Sequence, residues 1–400
     1  MPLMALSPDI TKDVTMEVDE ERIKITLTPS HFFFLFTVVV AGMFLFFGHK
    51  ICHPYEIQTQ EDSFFSAKVL QVLSDETNQD EYVESEIIRF KAELKSGPEK
   101  GRVITAVQEI NSMINESKRK IQSGDSVILI YLPDNSGDMT YLYSTHKRTT
   151  ILAVLMVVFF VCILAIGHKK GVFTIFSLGF VTVAIFSVYI PGILSGLNIY
   201  VLTSVVSFFC IFVSIILING VNKKSFSAIL GNVLGVILSA LCAALMSHLL
   251  DFTGIFDVSY FVLRDVIPGK QLDLRAVLWG GIVISSLGAI MDISMSIASA
   301  LNEVYENMGQ KSFLALWKSG MEIGKDAIGT MTNTLILAYI GSALGTVLLY
   351  SAYNKNIVYL LNSEPIAAQV VQAVVGSMGI LFAVPTTAVT SAILLMKNGD

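Results

Sequence analysis

Charged residues are scarce in this 400-residue chain. Lys, Arg, Asp and Glu make up 15% of it against 53% apolar residues, where an ordinary globular chain carries roughly 25% charge. So few charges cannot cover a water-facing surface. With a mean hydropathy of +0.65, the sequence reads as an integral membrane protein. Basic residues are also in deficit, 27 against 33 acidic ones, which excludes the clustered positive charge of a nucleic-acid binder. Four cysteines do not make a disulfide framework. Cys162, Cys210 and Cys242 fall within apolar runs, where Cys behaves as a small core residue, and Cys52 stands alone beyond the first run. The acidic-leaning residues 1–30, with no small-residue cleavage pattern after the first apolar run, argue against a signal peptide.

Catalytic signatures are missing too. No HExxH is present, which disfavours a zinc-dependent membrane protease. No Walker A lysine pattern is present, so no nucleotide is expected to be bound or hydrolysed. Gly192-Ile-Leu-Ser195-Gly196 has the wrong spacing for a serine elbow and no partner His, and reads as a helix-ending turn. His248 reads as an interfacial polar cap. The expectation is a protein that is not an enzyme, with no metal and no cofactor.

What the chain has instead is long apolar runs. Eight approach the length of about 20 residues that crosses a hydrocarbon core: 31–48, 149–167, 171–191, 199–220, 227–250, 276–301, 328–350 and 368–396. The third ends at Pro191-Gly192, and the last carries Pro385, expected to kink it. Loops on one side hold Lys169, Lys170, Lys223, Lys224, Lys311, Lys318, Lys325 and Lys397, against Arg264, Lys270, Arg275 and Lys355 on the other. That asymmetry predicts a cell-membrane protein with both termini cytoplasmic. It follows that 1–30 is a cytoplasmic segment and 31–48 the first span. Residues 49–148 form an extracytoplasmic domain and 149–396 a seven-helix domain. The connection 303–325, with Phe313, Trp317 and Met321 among charges, reads as an amphipathic helix on the cytoplasmic interface.

The 49–148 segment is the one soluble-looking part. Ser66–Leu73 alternates like a strand, and Ser126–Tyr131 with Met139–Tyr143 reads as a hairpin. Residues 81–97 and 106–120 are charged and weakly periodic. The expected fold is therefore an all-α polytopic membrane protein with a small α+β domain after its first helix. With no metal-spaced cluster or nucleophile–base pair, that domain reads as a docking or lever module.

One stretch departs from plain hydrophobicity. Asp292 lies deep in the sixth span, where a carboxylate costs about 2.5–3.5 kcal/mol on insertion scales unless it faces protein or water. Its protonation becomes coupled to whatever changes its hydration. Asp292, Ser296, Ser299 and Glu303 recur at i, i+4, i+7 and i+11, one polar stripe along a helix. Asp326, Thr330, Asn333 and Thr334 make a second stripe entering the seventh span. Neither suits lipid, so the two spans are expected to pack together, either as a proton or substrate path or as a hydrogen-bonded tie. The hydroxyls alone could equally bond back to their own helix. The pairs Gly231/Gly235, Gly341/Gly345 and Gly376/Gly379 read as sites of close helix packing.

These residues resemble the YibE/F family of multipass membrane proteins. The resemblance rests on Gly288-Ala-Ile-Met-Asp292-Ile-Ser-Met-Ser296-Ile-Ala-Ser299, on Ser319-Gly320-Met321, and on Asp326-Ala-Ile-Gly329-Thr330-Met-Thr-Asn333-Thr334-Leu-Ile-Leu-Ala338-Tyr339. It covers most of 120–396, and the length and large N-terminal insertion are similar to YibE-like members. It implies a transport role and assigns no chemistry. A fainter resemblance, to the SecD/SecF export subunits and resistance–nodulation–division exporters, implies that the intramembrane Asp serves a proton path. The chain departs from those families in lacking an arginine after the Asp helix and in having eight spans rather than six.

Two functions compete. One is an ion-gradient, most simply proton, driven transporter or exporter working through Asp292. The other is a non-transporting membrane subunit that assists secretion or assembly through the 49–148 domain. The expected partners are the lipid bilayer and a second subunit, a homo-oligomer or another YibE/F-type chain, because only one Gly-Ala-Ile-Met-Asp element is present.

Overall fold

The computed structural model describes residues 29–52, 64–80, 83–111, 119–133, 139–255, 258–265, 271–309, 311–353 and 356–397. They fall into two compact units, one of residues 56–162 and one of 1–55 with 163–400.

In the first unit alternation of side chains dictates strands. β1 (Phe64–Asp80), β2 (Val83–Leu94), β3 (Val103–Asn111), β4 (Ser126–Pro133) and β5 (Met139–His146) close into a barrel in the order β1-β2-β3-β5-β4. β1 bridges the closure: Ala67 pairs with Leu94 on one side and Val127 on the other. The β3–β5 pair is parallel and the others antiparallel, the connectivity of an OB-type barrel. Ala67, Val69, Phe90, Ala92, Leu94, Ala106, Val127 and Leu129 fill the interior. Buried Gln108 is satisfied at both ends, donating to the Arg119 carbonyl (3.1 Å) and accepting from Ile121 N (3.0 Å). The expected strand at Ser66–Leu73 and the hairpin are found in β1 and in β4–β5.

The expected α+β character needs correction, since the described residues of the barrel are strands and turns. The stretches 81–97 and 106–120, expected as charged and weakly periodic, hold β2 and most of β3. Their charges hide a period of two: Ile88, Phe90, Ala92 and Leu94 point inward while Arg89 and Lys91 are exposed between them.

Hydrocarbon satisfies no backbone polar group, so the apolar runs must be helices. They are α1 (Pro29–Ile51), α2 (Thr149–Ala184), α3 (Ile190–Leu194), α4 (Ile199–Asn219), α5 (Lys223–Leu249), α6 (Val258–Arg264), α7 (Leu274–Asn307), α8 (Phe313–Tyr353), α9 (Ile357–Asn362) and α10 (Glu364–Met396), with a π-helical segment at Ile185–Tyr189. Side chains cap the starts: Asn198, Asn222 and Asp273 accept from the amides three residues on. Glu364, in the first turn of α10, accepts from the amides of Thr253 and Gly254 (both 2.7 Å), pinning the turn after α5.

Among the described residues seven helices are long and apolar enough to cross a bilayer, where eight spans were expected. The difference lies at Thr149–Leu194, a 46-residue run holding both the second and third expected spans. It is broken at His168 (φ 45°, ψ −124°). A Cβ on Gly171 would fall 2.5 Å from the Ile163 carbonyl oxygen, although a straight helix separates such positions by about 12 Å. The connection 303–325 also differs from expectation. Residues 303–307 end α7, and 313–325 begin α8, which runs unbroken for 41 residues. It does so because Leu316, Gly320 and Gly324 pack inward; Cβ atoms on the two glycines would meet Ala388 and Leu301, and Val384, so no turn frees this segment. α10 likewise continues through Pro385.

The centre of this unit is a three-helix junction of α5, α7 and α10. Gly231 meets Thr387, Gly235 meets Ala383 and Ile290, and Gly379 meets Ile290, so that missing side chains let the backbones approach. Across the α5–α10 contact Thr386 donates to the Gly231 carbonyl (3.1 Å), Thr390 to that of Ser227 (3.2 Å), and Ser239 to that of Val375 (3.2 Å). Four polar groups in the same helices stand apart from this ladder: the Asn232 amide and the hydroxyls of Ser294, Thr387 and Ser391 are buried without a hydrogen-bond partner. Burying an unpaired amide costs about 1–3 kcal/mol. Asn232→Leu, similar in size, is therefore expected to raise the melting temperature of the purified protein in detergent. A clear fall in a thermal-shift measurement would refute the unpaired assignment.

Candidate functional site

The site is built on α7 and α8. Both Leu301 and Ala388 would meet a Cβ on Gly320 (2.9 and 2.8 Å), which fixes where the α7–α8 hairpin and α10 come together. Counting away from that contact along the two antiparallel helices, nine residues bring α7 to Asp292 and α8 to Gly329, each about 13 Å on. The helices that carry the two expected stripes, α7 and α8, are neighbours.

The stripes do not bond to each other. Thr330 and Thr334 donate to carbonyls of their own helix, those of Ala327 (3.1 Å) and Met331 (2.9 Å), the local alternative open to any helical Thr. Among the described residues Asp292, Ser296, Ser299 and Asn333 make no side-chain hydrogen bond to protein. Asp292, Ser296, Glu303, Asp326, Thr330, Asn333 and Thr334 are exposed and Ser299 is half-buried. The hydrogen-bonded tie considered as an alternative is therefore absent.

The surroundings sharpen the picture. The inward face of α7 is Ile290, Ile293, Ser294, Ile297, Ala298 and Leu301. Its most exposed line runs Gly281, Ser285, Gly288, Asp292 and Ser296, edged by the half-buried Ile284, Met291 and Met295. Ser285 accepts from Gln372 Nε2 of α10 (3.1 Å), continuing the polar face sideways. On α8, Gly329, Gly341 and Gly345 meet nothing within 4 Å of a modest added Cβ. Of the expected glycine contacts, then, Gly231/Gly235 and Gly376/Gly379 are filled from within the chain, and Gly341/Gly345 are open. An exposed apolar surface in the same chain looks different: α2 presents Ile151, Leu152, Val154 and Leu155, all more than half exposed.

Sequence reasoning overlooked Asn232, Ser294, Thr387 and Ser391. Ser294 sits two residues from Asp292 and so on the opposite side of α7. A signal existed: Asn232 is a lone amide between Gly231 and Gly235, where close packing leaves no route to water. Among the described residues no cluster of His, Cys, Asp and Glu has the spacing to hold a metal ion.

No curated protein and no solved structure matches the chain. A family model described as YibE/F-like protein matches residues 155–397, more than half the sequence, and includes both stripes and the α5–α7–α10 junction. The apolar helices and this match together support a multipass membrane protein, and the chain belongs to the YibE/F-like family.

Proposed function

We propose that this chain is an ion-gradient-driven membrane transporter in which Asp292 takes up and releases the coupling proton. The observation that carries the reading is a mid-helix carboxylate that has no protein hydrogen bond among the described residues and lies on a line of exposed small and polar residues. An ion pair or a hydrogen-bonded tie would hold the carboxylate in one state; an unpartnered one changes state with its hydration. Ser296 and Ser299 on α7, with Thr330, Asn333 and Thr334 on α8, supply neutral oxygens and an amide along which a proton or polar solute can move. Glu303 and Asp326 lie at the hairpin end of the same path. In reconstituted liposomes with an internal pH dye, wild type should dissipate an imposed proton gradient. Asp292→Asn keeps the shape and loses titration, and should slow this at least about tenfold while leaving the melting temperature unchanged. Equal rates would overturn the proton role.

The same face supports a second copy of this chain as partner. α7 offers acceptors, Asp292 and Glu303, and α8 offers the Asn333 amide as a donor. A two-fold axis brings each stripe onto the other's complement, the self-complementarity that an isologous contact needs. The open Gly341/Gly345 pair gives the close approach. With the four native cysteines replaced by alanine, Gly341→Cys should crosslink to dimers in native membranes. Val154→Cys, on the lipid-facing α2, should not. Monomers in both cases would remove the second copy from the model.

Orientation rests on the lysine asymmetry, which favours cytoplasmic termini and the barrel outside the cell membrane. In intact cells a membrane-impermeant thiol reagent should label Gly101→Cys and spare Gly309→Cys. The reverse pattern would invert the topology.

A further inference from the structure

The barrel carries a cleft that the transport reading does not use. It has a volume of about 550 Å³ and is walled by Phe65 of β1, by Glu99 and Arg102 of the β2–β3 turn, and by Tyr131 and Tyr141 of β4 and β5, within the range of about 300–1,000 Å³ typical of small-molecule sites. Its aromatic wall is a set of three rings. Phe65 meets Tyr141 edge-on with centroids 5.6 Å apart, and Tyr131 lies 4.6 Å from Tyr141. Phe65 and Tyr141 rest with one side against the barrel core, whose large buried side chains are Phe90, Leu94 and Leu129, and all three rings stay half-exposed.

The polar wall is organised beforehand. Arg102 Nη1 pairs with Glu99 Oε1 at 2.5 Å, and Tyr141 donates to Glu99 Oε2 at 3.3 Å. Both carboxylate oxygens are therefore oriented while the pair stays exposed at the rim. Burial, with Glu99 alongside, raises the Tyr141 phenol above its usual range, so it remains a donor at neutral pH. The turn that presents Glu99 and Arg102 depends on Gly97 at φ +89°, where a Cβ would strike the Phe65 ring at 2.6 Å.

The geometry points to an uncharged oligosaccharide as the ligand of this cleft. Aromatic faces suit the apolar C–H face of a sugar ring, and a pre-oriented carboxylate–guanidinium pair suits its hydroxyls, accepting and donating at adjacent points. One cation balanced by one anion does not suit a polyanion, since single-stranded nucleic acid requires a positive groove beside its stacking platform. An extended peptide would take an open strand edge, whereas Phe65 and Tyr141 lie where β1 pairs with β4 and β5 with β3. The oligosaccharide reading rests on the cleft alone and is independent of Asp292.

The test uses the full chain in nanodiscs, titrated by calorimetry with cellohexaose, chitohexaose, a dT oligonucleotide and a proline-rich peptide. Binding of one of the two hexasaccharides is expected, weakened roughly tenfold or more by Tyr131→Ala and by Glu99→Gln. Tyr141→Phe keeps the ring and should weaken binding less than Tyr141→Ala. The gradient-dissipating activity of the same variants should match wild type, which separates this site from the transport path and reports that the protein is folded. Binding of neither hexasaccharide, binding only of the oligonucleotide or peptide, or hexasaccharide binding indifferent to these substitutions would each overturn the assignment.

Discussion

The close approach of α5, α7 and α10 at Gly231, Gly235 and Gly379 is the constraint on which the helical unit depends. Lipid tails are as apolar as leucine, so helices gain little by hiding apolar surface from one another. Contact instead comes from packing that only absent side chains permit. A Cβ on Gly231 would lie 2.7 Å from the Cα of Thr387, and backbone cannot yield as a flexible side chain does. That same proximity lets Thr386, Thr390 and Ser239 reach carbonyls of the facing helix. With α10 held between α5 and α7 on one side and α8 on the other, the remaining faces of α7 and α8 turn outward. The polar stripes are exposed as a consequence of where the glycines are.

That exposure separates two kinds of surface in one chain. α2 is apolar all round, and none of residues 149–162 is buried; its side chains match hydrocarbon and call for nothing else. The most exposed line of α7 is the opposite, small and polar from Gly281 to Ser296. Serine hydroxyls can retreat onto their own helix, as Ser285 and Ser286 do toward the carbonyls of Ile282 and Val283, but a carboxylate has no proton to donate unless it is neutral. Asp292 is thus the one group on that face whose charge state must follow its surroundings.

Much of this was legible in the sequence, and the failures have physical causes. Apolar runs located the helices, because length and hydrophobicity are the whole requirement for crossing a bilayer. Spacing of i, i+4 and i+7 located both stripes, because a helix face is a geometric fact of the backbone. The span count differs by one at His168, where a single run holds two helices joined across a kink that falls between the expected spans 149–167 and 171–191. The barrel strands β2 and β3 were missed because Arg89, Lys91 and Glu93 dominate a reading by charge, while the buried partners Phe90 and Ala92 define the strand. The α7–α8 connection was misjudged because its charges suggested an interface helix, whereas Gly320 and Gly324 seat it against α10.

Asn232 was the hardest to see, since a lone amide within an apolar run is silent until its neighbours are known. Once Gly231 and Gly235 bring α10 against it, the amide can neither reach water nor rotate outward. Ser294 and Thr387 are buried from the other two helices of the junction, and each also lacks a partner. α7 therefore carries unsatisfied polar groups on both sides, Ser294 toward the junction and Asp292 away from it. A helix held only by apolar contacts has one preferred rotation. One whose two faces both bear polar groups in a nonpolar medium is held less strongly in any single setting, because the contacts of Ile290, Ile293 and Ile297 must offset the desolvation on either side. On the reading proposed above, protonating Asp292 would lower that cost on one face alone and so shift the balance at α7.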